Sequence, residues 1–125
     1  MIGFSKKTNL GFEEAEKKVR QELEKEGFGV LTEIDVSAVL KKKLDKDYGK
    51  YKILGACNPP FAFKALEAEK EIGLLLPCNV IIYENNGVNV SAVNPMEAME
   101  MIENEGLKGI AEEVSEKLKM VIERV

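Results

Sequence analysis

Cys78-Asn79-Val80-Ile81-Ile82-Tyr83-Glu84-Asn85-Asn86-Gly87-Val88-Asn89-Val90-Ser91-Ala92-Val93 decides the fold. Two apolar-rich runs flank Asn86-Gly87, the dipeptide that best tolerates the positive φ angles of a tight hairpin turn. The stretch therefore predicts two adjacent antiparallel strands. The first is apolar on both faces, with Val80 and Ile82 on one and Ile81 and Tyr83 on the other. Tyr51, Ile53, Leu54 and Ala56 give an upstream run the same two-sided character. A sheet whose centre is apolar on both sides needs a second cover. One of the shorter helices could cross it, but a homodimer contact or a ligand groove is the favoured expectation.

Upstream of the hairpin, residues 2–7 read as an opening strand. An amphipathic helix over 11–26 follows, with Phe12, Ala15, Val19 and Leu23 on one face and Gly27 suited to its C-terminal cap. Residues 28–36 alternate as a strand whose Glu33 and Asp35 wet one face. Ser37 is placed to cap a short helix carrying Val39, Leu40 and Leu44, which Tyr48-Gly49 breaks. A strand over 51–57 then runs into Asn58-Pro59, an N-cap followed by Pro at the first helical position. That helix is expected to reach Ile72 and stop at Gly73. Downstream, Asn94-Pro95 repeats the device before a Met-rich turn, and a last helix from Leu107 aligns Ile110, Val114, Leu118, Val121 and Val125. The order predicts a single α+β domain over 1–125. It has a mainly antiparallel mixed sheet of about five strands, with helices on one face.

The chain has 125 residues, enough to bury a core without disulfides or a metal. Its 18 Lys and Arg and 22 Asp and Glu are interleaved, giving a net charge of -4. Binding to nucleic acid is not expected, because phosphate neutralisation needs clustered cations. The one basic run, Lys41-Lys42-Lys43, is followed by Asp45 and Asp47 and reads as a solvated helix face. Residues 1–7 lack a signal-peptide core, and the nearly apolar stretch 72–83 is too short to span a bilayer. The expectation is a cytoplasmic protein with reduced thiols and no membrane contact. Abundant Glu and Lys, with Gln21 the only glutamine, fits a thermophilic source.

The only cysteines, Cys57 and Cys78, lie in Gly55-Ala56-Cys57-Asn58-Pro59 and Leu76-Pro77-Cys78-Asn79. Cys57 precedes a predicted helix N-terminus, whose free N–H groups would favour a thiolate or bind an anion. The competing reading is a small packing residue at a crowded strand end. The chain has no His, so a Cys–His pair is impossible. A disulfide between the two requires that residues 73–77 return the chain to the end of the sheet where Cys57 lies. An ordinary crossover would instead make the flanking strands parallel and keep the thiols apart. Two thiols without imidazole do not make a zinc site, and no metal or cofactor is expected. Pro60-Phe61-Ala62-Phe63 and the methionines Met96, Met99 and Met101 read as packing rather than cofactor contacts. No phosphate-binding glycine loop, serine elbow or dinucleotide fingerprint is present.

Lys52-Ile53-Leu54-Gly55-Ala56-Cys57-Asn58-Pro59 and Gly73-Leu74-Leu75-Leu76-Pro77-Cys78-Asn79-Val80 together resemble the family known as domain of unknown function 302. Phe28-Gly29-Val30 and Glu33-Ile34-Asp35-Val36 fit it as well. The resemblance implies a compact α+β fold and dimers, and it supplies no activity. The motif positions that match are Cys57, Asn58, Pro59, Pro77 and Cys78, which are the candidate ligand-binding residues. The leading expectation is a dimeric, non-enzymatic small-molecule or redox-linked binding module. A thiol enzyme attacking through Cys57, and a structural or protein-interaction domain, are the alternatives.

Overall fold

The computed structural model describes residues 2–125. Five strands, β1 (Gly3–Thr8), β2 (Gly29–Asp35), β3 (Tyr51–Cys57), β4 (Cys78–Glu84) and β5 (Val88–Val93), form one open sheet in the order β1-β5-β4-β3-β2. All four pairings are antiparallel. The β4–β5 hairpin turns at Asn86 and Gly87, whose φ angles are 55° and 112°. Those are the left-handed values that the Asn-Gly pair accepts at least cost.

Two long helices, α1 (Phe12–Lys25) and α2 (Glu105–Glu123), cover one face of the sheet. Phe12, Ala15, Val19 and Leu23 of α1 and Val114, Leu118, Val121 and Ile122 of α2 are buried with Leu54, Val80, Ile82 and Val90. Gly27 closes α1 at φ 87°, as the glycine after a helix should. A third helix, α3 (Pro59–Ala68), continues into a 3₁₀ turn, Lys70–Leu75. Gly73 therefore lies inside that turn rather than ending a longer helix. Ala65, Ile72, Met99, Leu107 and Ala111 make a second small core at this end of the molecule.

The short helix α4 (Val36–Leu44) begins directly from β2 and buries none of its residues. Its N-cap is Asp35, whose Oδ1 accepts from the Ala38 N–H at 3.0 Å. Ser37 does different work: its hydroxyl donates to the Gly49 carbonyl and accepts from the Tyr51 N–H. The other face of the sheet centre, with Tyr51, Ile53, Ile81 and Tyr83, receives no buried helix residue. The rings of Tyr51 and Tyr83 stack there at 5.4 Å.

Strand β2 departs from simple alternation. Val30 pairs with Ala56 and Thr32 with the neighbouring Gly55, leaving Leu31 as an extra residue in a bulge. The bulge exchanges the faces: Val30 joins the core, whereas Ile34 turns to the uncovered side. Glu33 consequently faces the helices, where it pairs with Arg20 and Lys52. Lys52 also donates to Glu16 Oε1 at 2.8 Å. Burial pushes the Glu16 carboxyl up, but its hydrogen bonds with Lys52 and Arg20 outweigh that and hold it below the usual value. A depressed carboxylate stabilises the fold above its unfolded pKa, and the benefit fades as pH falls through the folded pKa. Glu16→Gln should therefore cost about 1–2 kcal/mol at neutral pH and much less in acid, as read from urea unfolding of both chains.

Candidate functional site

The two cysteine motifs meet at one end of the sheet. β3 finishes at Cys57, α3 and the 3₁₀ turn carry the chain out and back, and Cys78 opens β4 directly opposite Ala56. The return through residues 73–77, ending in a cis Leu76–Pro77 peptide, makes β3 and β4 antiparallel neighbours. The separation of thiols expected for a parallel crossover is thus corrected. Both cysteines are free thiols.

Asn58 occupies the N-cap position of α3, since its carbonyl accepts from the Ala62 N–H at 2.9 Å. Its side chain, however, does not cap the helix. The Nδ2 group reaches across to donate to the Glu26 carbonyl at 3.1 Å, tying the start of α3 to the end of α1. Pro59 and Pro60 have no N–H, so only Phe61 carries one among the first three helical residues. The expected anion-binding helix mouth is therefore stripped of most of its donors. An anion or oxyanion beside Cys57 would find few donors there.

In its place lies an apolar cleft of about 290 Å³. Phe28 and the bulged Leu31 form one side, while Phe61, Ala62, Ala65 and Leu66 of α3 form another. Met99, Ile110 and Val114 also line it, and Cys57, Pro77 and Cys78 line it from the strand ends. Apart from the two thiols, no lining side chain can ionise. Leu31 and Leu66 stand exposed at the rim, whereas Cys78 is only 7 % exposed. Burial, with the neighbouring Cys57 adding to it, pushes the Cys78 thiol up to about 11. It is a neutral thiol at ordinary pH. Cys57 is half-buried and is the more accessible of the pair.

Four of the five residues singled out from sequence, Cys57, Asn58, Pro77 and Cys78, line this cleft, and Pro59 does not. The walls were not foreseen. Leu31 enters through the bulge, and Ile110 and Val114 come from a helix distant in sequence. A larger hollow of about 750 Å³ lies between the Met96–Met99 turn and the start of α2. Glu97, Glu100, Glu103 and Glu105 surround it, and neither cysteine reaches it. Among the described residues, no group of three or more His, Cys, Asp or Glu could hold a metal ion. Nor is any helix among them long and apolar enough to cross a membrane.

An antiparallel open sheet backed by two helices, with both cysteine motifs at one end, can be set beside known proteins. The chain belongs to the family domain of unknown function DUF302, whose model matches residues 4–125. It is also similar to an uncharacterized conserved protein DUF302 from Bacillus stearothermophilus, known from a crystal structure. The two share 28 % identity at a TM-score of 0.93, over 99 % of this chain and 98 % of that one. No curated protein matches the chain.

Proposed function

We propose that the protein is a dimeric, non-enzymatic module that binds a small, neutral, apolar molecule in the cleft beside Cys57 and Cys78. The observation carrying this reading is the lining itself: a concave apolar surface, open to solvent at its rim, with two thiols and no charged side chain. Such a lining suits an aromatic or short aliphatic group, because burying a charge there would cost several kcal/mol, on the order of its desolvation energy. The same lining argues against a thiol enzyme. No carboxylate, amine or imidazole stands in the cleft to take the proton of Cys57, and Cys78 is held neutral by burial.

The dimer is supported by the uncovered sheet face. Tyr51, Ile53, Ile81 and Tyr83 remain half-buried there, and Ile34 beside them is exposed. A second copy would supply the missing layer. Sedimentation should give a dimer at micromolar concentration and a monomer for Ile81→Lys; a monomeric parent chain removes this half of the reading.

The binding half is tested with the fluorescent apolar probe N-phenyl-naphthylamine. The reduced chain should bind it and melt at higher temperature in its presence. Ala62→Phe, which fills the cleft from α3, should abolish both effects. Equal binding by the parent and the filled variant places the probe elsewhere and overturns the cleft assignment.

A further inference from the structure

We propose that Cys57 and Cys78 form a reversible disulfide within one chain, and that the bridge closes the apolar cleft. The closure part rests on the binding function proposed above; the bridge itself does not. Three observations support it. Ala56 and Cys78 are directly paired across β3 and β4. Paired α-carbons lie about 4.5–5.5 Å apart, and Cys57 is one strand step further on, about 3.4 Å. The cysteine α-carbons are therefore about 6 Å apart, inside the range of a disulfide. In a regular strand Cys57 and Cys78 would point to opposite faces, but both residues line the same cleft. Finally, the Cys78 thiol is more than nine-tenths buried and lines that cleft.

Only one side of the bridge can move easily. Cys78 sits at the buried start of a central strand, whereas Cys57 is the hinge from which α3 departs. Bond formation would draw Cys57, and with it the first turn of α3, toward β4. Phe61 and Ala62 lie on that turn and line the cleft, so the cleft changes shape as the sulfurs join.

The oxidant is a small-molecule disulfide. The Cys57 thiolate attacks one of its sulfurs, and the expelled thiolate takes up a proton. Cys78 then loses its proton, attacks Sγ of the mixed disulfide at Cys57, and expels the second small thiol. Two protein thiols are oxidised and one small disulfide is reduced to two thiols. The second step is the slow one, because burial disfavours the Cys78 thiolate, and it should accelerate as pH rises.

The experiment equilibrates the full-length chain in glutathione redox buffers, quenches with acid, and combines alkylation with intact mass. The proposal expects both thiols to vanish together with loss of two hydrogens and no added glutathione. N-phenyl-naphthylamine should then bind about tenfold more weakly, and dithiothreitol should restore it. Cys57→Ser, whatever its affinity when reduced, should show no further loss of probe binding on oxidation, because its remaining thiol has no partner in the chain. Mixed glutathione adducts alone, or chains cross-linked to each other, overturn the bridge. A bridge that leaves probe binding unchanged overturns the closure. A reduced chain that never binds the probe overturns the binding function instead, while the thiol count still decides the bridge.

Discussion

Gly55→Ala should lose about 1–3 kcal/mol of stability, although it adds a single methyl group to a strand. Gly55 lies on the uncovered face of β3, between Thr32 of β2 and Asn79 of β4. A Cβ there would collide with the Thr32 hydroxyl and stand 2.7 Å from Cγ of Pro77. The hydroxyl can rotate away, but the proline ring cannot. Relief requires moving the edge strand or the segment that delivers Cys78. Urea unfolding measures the loss, and Thr32→Ala in the same chain should recover only part of it, because the proline contact persists. The alanine chain should also alkylate faster at Cys78. A midpoint unchanged from the parent would show that Gly55 is not a point of close approach.

Asn58→Ala should cost a similar amount, about 1–3 kcal/mol, through a different cause. The amide is buried, and its bond to the Glu26 carbonyl, 32 residues away in sequence, ties the start of α3 to the end of α1. Without it that carbonyl is left unpaired at the end of α1, beside Gly27, whose φ of 87° already fixes the turn. Asn58→Asp distinguishes this tie from helix capping. An aspartate is as good an N-cap as asparagine, yet it has no N–H to give Glu26. The tie therefore predicts that Asp destabilises at least as much as Ala, whereas capping predicts that Asp is harmless. In both variants the β3–α3 junction loosens, and Cys57 should alkylate faster than in the parent.

The contrast at Asn58 marks how far the sequence could be read. Asn-Pro after a strand correctly located the start of a helix, because that preference is set by the local backbone. Where the side chain goes is set by what folds beside it, and Glu26 is invisible at that range. The hairpin at Asn86-Gly87, the closing Gly27 and the apolar stripes of α1 and the last helix were legible for the same local reason. So was the two-sided character of the central strands.

The meeting of Cys57 and Cys78 was not legible. It depends on the direction in which residues 69–77 return, and a 3₁₀ turn inside an apolar run has no distinct period. The paired prolines at 59 and 60 were in plain view, but their effect on the helix mouth follows only once the helix start is fixed. The cleft walls were hidden because Leu31, Phe61 and Ile110 belong to elements that meet only in three dimensions.

The bulge at Leu31 has a further consequence, for aggregation. An open sheet leaves two free edges, and each is a template on which another chain could add a strand. At the β2 edge the extra residue interrupts the even row of backbone groups that such an addition needs. At the β1 edge the strand carries Lys6 and Lys7, whose charges oppose a like neighbour laid alongside. With both borders blunted, growth into a continuous ribbon is disfavoured, and what remains open to a second molecule is the flat of the sheet.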